Sequence, residues 1–544
     1  PRMHERPQAA LFAALRELGY RVESEGGNDK LPARFHGRAE LPLGLDAPQR
    51  VPTKSCRVSV EESSQFASAL LLCTKVGGKL LWKPAPKPGP KPSPTATPLD
   101  MSPASTGTVT NNNGLIGRTL MGYQGWFACP TDDTGPDWVH WFDYGKRATA
   151  SGLTVDFWPD VSEYSQGELC KTEMTTESGQ PLMAYSGYNQ TVINRHFSWL
   201  QQYNIDGVAL QRFVARMIPA DIYAHDWTLL QRVSSAAQRY GRVFYFEYDT
   251  NFGDDDPTKL VSTIKQDWKR TVDAGITSTS SYLQLNGQPL VELWGIGLPG
   301  VNRMTASQAA DLVAFFKQNP DPKYRAAVVG GLGSYWRTGT GDAQPGEDWA
   351  KVYRSFDVIN PWSVGRYGSI NVGEAQTYAN DVVAGDVEET QRLGILYLPV
   401  VWPGSSWINL QRNRGQAYER NMMPRFCGAF YWQQVVNVLR AGSKQVFVAM
   451  FDEVDEGTAM YKMVTTQADL PKDSLLIPLD VDGCKLNSDF YLRLASATAA
   501  TTRSGTTPTR QLPIPLAPGE TVAPPTFGRT IDGSTATSFE RGLS

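Results

Sequence analysis

The run Val446-Phe447-Val448-Ala449-Met450-Phe451-Asp452-Glu453-Val454-Asp455-Glu456-Gly457-Thr458 joins an apolar strand directly to four carboxylates within five positions. Packing gives no reason for such a cluster. Repulsion and desolvation at a strand end raise the proton affinity of some of its members. Glu453 and Glu456 are three apart, so a turn or a helical start brings both to one side. Gly457 allows a tight turn or a close approach. Paired carboxyls are what glycosidic cleavage needs: one protonates the leaving oxygen, the other handles a nucleophile or a developing positive charge. The competing reading is a solvated acidic helix start, where negative charge is favourable in any case.

The elements that must hold these groups repeat one theme. Short apolar strands, each ending in polar or aromatic residues, are expected at Leu120–Phe127, Gly207–Gln211, Val243–Tyr248, Leu290–Trp294, Ala327–Gly330, Val358–Pro361, Ile395–Val401 and Val446–Phe451. Helical spacing marks Val192–Tyr203, Trp227–Tyr240, Ala306–Gln318 and Glu374–Ala384 between them. Regular strand–helix alternation means parallel strands with crossover helices, and eight units close into a (β/α)8 TIM barrel of the α/β class. An open doubly wound sheet is the competitor, but no Gly-rich phosphate turn follows the first strand.

In such a barrel the C-terminal strand ends form the working face. They supply Tyr123, Gln124 and Trp126; Gln211 and Arg212; Glu247, Tyr248 and Asp249; Trp294; Trp336; Trp362, Arg366 and Tyr367; Trp402 and Trp407; and Asp452 beside the two glutamates. Aromatic faces match the apolar faces of sugar rings, and the polar groups match hydroxyls. A single aromatic is more often wall packing. Their recurrence at almost every strand end favours a carbohydrate cleft, and all of these residues are candidate substrate contacts. His140 reads as a packed residue rather than a catalyst. His225-Asp226 lacks a second His at ligand spacing, so no metal is expected there.

The 544 residues exceed one barrel and imply something extra. A net charge of -3 without a basic run argues against nucleic acid. None of the six Cys forms a C-x-x-C pair, so no zinc site and no cofactor are expected. Cys129 and Cys170 are candidates for a disulfide, with free buried thiols as the alternative. No stretch of about 18 apolar residues predicts a membrane span. No signal peptide follows Pro1. A native start upstream of it is compatible with export, and a secreted or periplasmic location in a bacterium is expected. Oligomeric state is not fixed by sequence.

Four zones follow. Residues 1–82 carry a helical pattern at Ala9–Gly19 and an apolar run at Phe66–Val76, read as a second helix capped by Ser63 or Ser64. Residues 83–113 form a Pro-rich linker. The barrel spans 114–495, and 496–544 is a loosely ordered tail rich in Pro, Thr and Ser, with draping over the barrel as one arrangement open to it.

The stretches Gly122–Phe127, Gly207–Phe213, Pro361–Tyr367 and Met450–Thr458 resemble bacterial relatives of the endo-α-mannosidase and neighbouring α-glucanase glycoside hydrolases, with Glu-x-x-Glu-Gly-Thr as the most specific part. The resemblance implies a retaining, endo-acting hydrolase of α-linked glycans. Glu453 would act as base on the sugar's own 2-hydroxyl, forming a 1,2-anhydro sugar, and Glu456 as acid and then base. Val454 and Asp455 depart from the Trp-rich motif of the mannosidases. Xylan and arabinan fragments are alternative substrates, and a non-catalytic carbohydrate-binding barrel is the alternative function. Separately, Arg2–Val22, Gly26–Pro32 and Ser63–Leu72 resemble part of enolpyruvylshikimate-phosphate synthase. That enzyme needs two large domains, so a fragment implies no synthase activity, and a fusion junction is expected.

Overall fold

The computed structural model describes residues 21–24, 33–36, 74–76, 79–81, 110–130, 137–252, 256–368 and 372–522. The chain divides into two units, Pro1–Thr95 and Ala96–Ser544. In the first, Arg21–Ser24 pairs antiparallel with Ala33–His36, and Thr74–Val76 with Lys79–Leu81. The helix expected at Ala9–Gly19, the linker up to residue 109 and most of Phe66–Val76 lie outside the described residues. The end of that last run is a strand instead of a helix. Its Thr-Lys-Val sequence favours extended backbone because β-branched side chains lose rotamer freedom in a helix.

The second unit is a (β/α)8 barrel. Strands 1 to 6 are Thr119–Tyr123, Gly207–Phe213, Val243–Asp249, Gln288–Trp294, Ala327–Gly333 and Val358–Trp362. Strand 7 consists of two segments, Leu396–Tyr397 and Val400–Val401, and strand 8 is Val446–Val448. Each neighbour pairs in parallel, and strand 8 returns to strand 1. The split in strand 7 closes the circle. Its first segment pairs with strand 6 and its second with strand 8. Between them Pro399 has no N–H to give, but its carbonyl accepts from Phe447 N at 2.9 Å, while Leu398 N donates to Ile359 O at 2.8 Å. Strands 3 and 5 are buried at every position, as parallel strands covered on both faces must be.

Local chemistry sets the helix ends. Asn189, Asp256 and Thr305 accept backbone N–H bonds at the starts of Gln190–Gln202, Pro257–Asp273 and Ala306–Lys317. Gly241 and Gly394 take the left-handed conformation that ends Ala220–Tyr240 and Ala384–Leu393.

The expected boundary at 495 falls inside a helix, Phe490–Ser504. Its Ala- and Thr-rich sequence hides a buried stripe, Phe490, Leu494, Thr498 and Thr502, at four-residue spacing. Thr502 meets Thr119 of strand 1 at 3.2 Å. Beyond it the chain is fixed to the barrel rather than loose as far as Val522. Trp432 Nε1 donates to Thr509 O at 2.9 Å, and Lys485 and Thr521 exchange backbone bonds at 2.9 and 2.8 Å.

Two disulfides staple the loops. Cys129–Cys170, with Cα atoms 6.3 Å apart, ties the loop after strand 1 to the hairpin Leu169–Thr175/Pro181–Tyr185. Cys427–Cys484, with Cα atoms 6.0 Å apart, ties the start of helix Ala429–Arg440 to the segment before the last helix. Sequence spacing suggested only the first. Closing loops of 41 and 57 residues removes freedom from the unfolded chain. Replacing Cys427 and Cys484 by Ser is expected to cost about 2–4 kcal/mol. The check is the urea midpoint of the variant against the oxidised wild type.

Candidate active site

Strand 8 delivers the acidic run to the barrel mouth, and each carboxylate meets a different environment. Asp452 is buried and clamps strand 1: Oδ1 accepts Gln124 N at 2.9 Å and Oδ2 accepts Gly125 N at 2.8 Å. Burial pushes it up to about 7 against the pull of those donors. Both oxygens of this expected substrate contact hold backbone N–H groups of strand 1's end. Glu453, also buried, accepts Gln124 Nε2 at 2.5 Å and Thr458 Oγ1 at 2.6 Å. Burial first, then the charges of Glu456 and Asp455, drive it well above the ordinary glutamate value. Glu456 is half-buried and pushed up to about 7 by desolvation and Asp455, with Arg414 opposing.

The local fold explains the placement. Gly457 has φ of 68°, and a Cβ there would lie 2.6 Å from Ser406 N. Ser406 N and Ser405 Oγ donate to Glu456 O at 3.0 and 2.9 Å. Arg425 donates to Gly457 O and Ala459 O, both at 2.8 Å. The carboxylate loop is thus pinned by its backbone, leaving the Glu456 side chain at the mouth.

Strand alternation divides the remaining candidates. Gln124, Gln211, Glu247, Asp249, Trp294 and Trp362 lie on the inner face. Gln211 Nε2 donates to Glu247 Oε1 at 3.2 Å and lies 3.9 Å from Met450 Sδ. Trp294 and Trp362 meet edge-on at 5.7 Å. Asn360, two residues before Trp362, shares its face. Gln124 Oε1, Gln211 Oε1, Glu247 Oε2, Trp294 Nε1 and Asn360 Nδ2 are buried polar atoms with no protein partner among the described residues. Five strand ends therefore present unsatisfied donors and acceptors. A small pocket lined by Gln124, Trp126, Gln211, Arg212, Arg216 and Asp226 lies beside helix Ala220–Tyr240. Trp126 is stacked on His140 at 3.7 Å and Phe213 at 4.4 Å. Trp407 packs edge-on to Tyr418, whose hydroxyl feels the Glu456 charge.

Six expected contacts point away from the mouth. Tyr123 OH meets His196 Nδ1 on helix Gln190–Gln202 at 3.0 Å. Arg212 and Tyr248 both bind Asp267 of helix Pro257–Asp273. Trp336 Nε1 donates to Asp386 at 3.0 Å. Trp402 packs edge-on to Phe430, and Tyr367 OH donates to Gln434 at 2.8 Å, beside a separate cavity behind strands 6 and 7. For Tyr123, Arg212 and Tyr248 the cause is the period of two: neighbours of inward residues face the helices. Arg366 is committed to Asp342.

Glu292, at the fourth strand end, is not among the expected substrate contacts. It pairs in register with Glu247 on the next strand and accepts Tyr245 OH at 2.8 Å. Desolvation lifts Glu292 to about 8, and burial plus the Glu292 charge lift Glu247 well above its usual value. Asp249, at the same strand end, is pushed up to about 7 by burial. The signal was present in the spacing, since Glu292 is two before Trp294. Among the described residues no cluster of three or more His, Cys, Asp and Glu is arranged to hold a metal, and no helix is long and apolar enough to cross a membrane.

No family model matches the chain. A GH99 endo-alpha-mannosidase from Bacteroides thetaiotaomicron, in complex with BIS-TRIS-propane, is similar in fold: TM-score 0.51 and 15% identity, over 72% of this chain and 99% of that one. A second structure of that enzyme gives a TM-score of 0.49 over the same shares. A 3-phosphoshikimate 1-carboxyvinyltransferase from Ralstonia pickettii is 39% identical over 72 residues, which is 13% of this chain and 14% of the relative. The first likeness establishes the barrel fold; the last is a short fragment of the enzyme resembled by the first zone.

Two outcomes follow from the site's physics. Gly457→Ala is expected to destabilise the barrel by about 1–3 kcal/mol through strain and overlap with Ser406, measured by urea unfolding. Glu292 has a folded value above its unfolded one, so it holds a proton on folding. Its stabilising contribution is complete below about pH 4 and is lost as pH rises through about 8. Glu292→Gln keeps the neutral form, so its stability relative to wild type should improve by at least about 1 kcal/mol between pH 5 and pH 8.

Proposed function

We propose that the barrel is a glycoside hydrolase acting on a neutral glycan through Glu453 and Glu456. The observation that carries this reading is the junction of those two carboxyls with the unsatisfied amide, indole and carboxylate groups of five strand ends. Sugar hydroxyls both donate and accept, so one glycan can satisfy Gln124, Gln211, Glu247, Trp294 and Asn360 together. The inner-face indoles offer apolar area for sugar rings.

The two glutamates differ in a way that suits two roles. Burial raises both, and the Glu456 charge adds to the rise of Glu453, so the pair favours holding a proton near neutrality. Gln124 and Thr458 donate to Glu453 and favour its charged form. Burial gives Glu453 the higher proton affinity in the free protein, and it is the resemblance in the Glu-x-x-Glu-Gly-Thr segment that assigns Glu456 as general acid. By the same resemblance, Glu453 takes the proton of the sugar's 2-hydroxyl. O2 then attacks C1 while Glu456 protonates the leaving oxygen. Water, deprotonated by Glu456, reopens the 1,2-anhydro ring at C1, and Glu453 returns the proton to O2. This course retains configuration. Endo action on an α-linked chain follows from the same resemblance. The two disulfides support an oxidising, exported location.

Incubation with α-mannan, α-glucan, xylan and arabinan, with product analysis, tests the reading. Glu453→Gln and Glu456→Gln are each expected to lower kcat by about 10²–10⁴. The Glu456 loss should shrink on aryl glycosides with an acidic leaving group, which needs no proton. Activity should fall as pH rises through about 7, where Glu456 gives up its proton. Glycan binding without turnover by the wild type would favour a carbohydrate-binding barrel instead.

A further inference from the structure

The candidate mechanism leaves Asp455 unused, although it stands between the two glutamates in sequence. It is buried, and its Oδ1 has no partner among the described residues. Its Oδ2 faces His140 Nδ1 at 3.4 Å. His140 comes from a different part of the chain, the loop after strand 1. Its backbone is left-handed, with φ of 59°, and its carbonyl accepts Thr154 Oγ1 at 2.5 Å. The imidazole lies parallel to Trp126 at 3.7 Å, and Trp126 shares a small pocket with Gln124, which donates to Glu453.

We propose, building on the hydrolase reading, that His140 is a positioning residue of the reaction: it holds Asp455 from across the mouth, offsets its charge beside Glu453 and Glu456, and seats Trp126 at the same time. The groups facing this pair are few. Asp455 feels Asp452, Glu453 and Glu456 on its own loop and Tyr461 beyond it. His140 Nδ1 is the group from another part of the chain placed against it. Glu456 is faced in addition by Arg414 and Asp249. Asp455 acts on both glutamates in one direction, favouring their protonated forms. A donor or a positive charge on its outer oxygen weakens that field, so His140 tunes the proton affinity of both glutamates without touching either.

The test uses the full chain and the glycan found to be cleaved. His140→Asn tolerates the left-handed backbone and removes the imidazole that faces Asp455 Oδ2. It is expected to move the kcat/KM profile to higher pH by roughly half to one unit. Asp455→Asn is expected to move it to lower pH by a similar amount. Adding His140→Asn to Asp455→Asn should then produce no further displacement, because the charge it offsets is gone. Thermal unfolding confirms that each variant is folded. A uniform loss of rate with an unmoved profile, or independent shifts in the double variant, would overturn the proposal and leave His140 as packing for Trp126. A wild type that cleaves none of the four polysaccharides overturns the hydrolase reading and this inference with it. An active wild type with an unresponsive His140 variant overturns the inference alone.

Discussion

The Asp452 carboxylate bridging the backbone of Gln124 and Gly125 is the contact on which the site depends. A barrel's last and first strands meet at a seam, and strand 8 here has only three residues of regular pairing. Past Val448 the chain carries four carboxylates into a region with little water, where each one costs free energy unless it finds partners. Asp452 finds two N–H donors, each bond to a charged acceptor contributing about 1.5–3 kcal/mol. It thereby fixes the turn after strand 1. That turn carries Gln124, whose side chain reaches Glu453, and Trp126, which stacks on His140. One carboxylate spent on backbone thus aligns the residues around the next.

The same accounting separates the acids that donors enclose from those left open. Asp156 accepts from Ser406, Ile408 and Asn409 and is used up in starting a short helix. Asp267 is enclosed by Arg212, Tyr223 and Tyr248. These carboxylates are surrounded by donors, as buried structural charges must be. Glu247, Asp455 and Glu456 are not, and each has an oxygen that no protein donor fills or a position open to the mouth. Unfilled polar capacity at the C-terminal face of a barrel is a property of a binding site rather than of a core.

The order of strands and helices was legible because it rests on short-range physics. Apolar runs ended by polar residues mark parallel strands, and the eight expected strands fall on the eight observed. The last helix was not legible, since Ala and Thr in Phe490–Ser504 resemble linker composition, and only contact with strand 1 reveals the buried stripe. The site was half legible for a geometric reason. Reading a strand end as a block takes Arg212 with Gln211 and Tyr248 with Glu247, although the pleat sends them to opposite faces. Applying the period of two would have removed Arg212 and Tyr248 and added Glu292. His140 lay beyond any such rule, because its partner Asp455 is more than three hundred residues away in sequence and is brought close only by closure of the barrel.

That closure also explains why so many carboxyls can be kept at high proton affinity in one place. Strands 3, 4 and 8 each contribute acids to the inner face, and the rigid parallel sheet holds them where they cannot relax apart. Alone, any of them would find a donor or turn to water. Held together, they keep protons, and Glu247 with Glu292 does so deeper in the barrel than Glu453 with Glu456. The deeper pair keeps the floor of the site nearly neutral. A fully ionised floor would add its repulsion to the upper pair, raising its proton affinity further and suppressing the charged form that a base requires. Tyr245, donating to Glu292 from inside the barrel, is therefore as much a part of the electrostatic arrangement as the residues at the mouth.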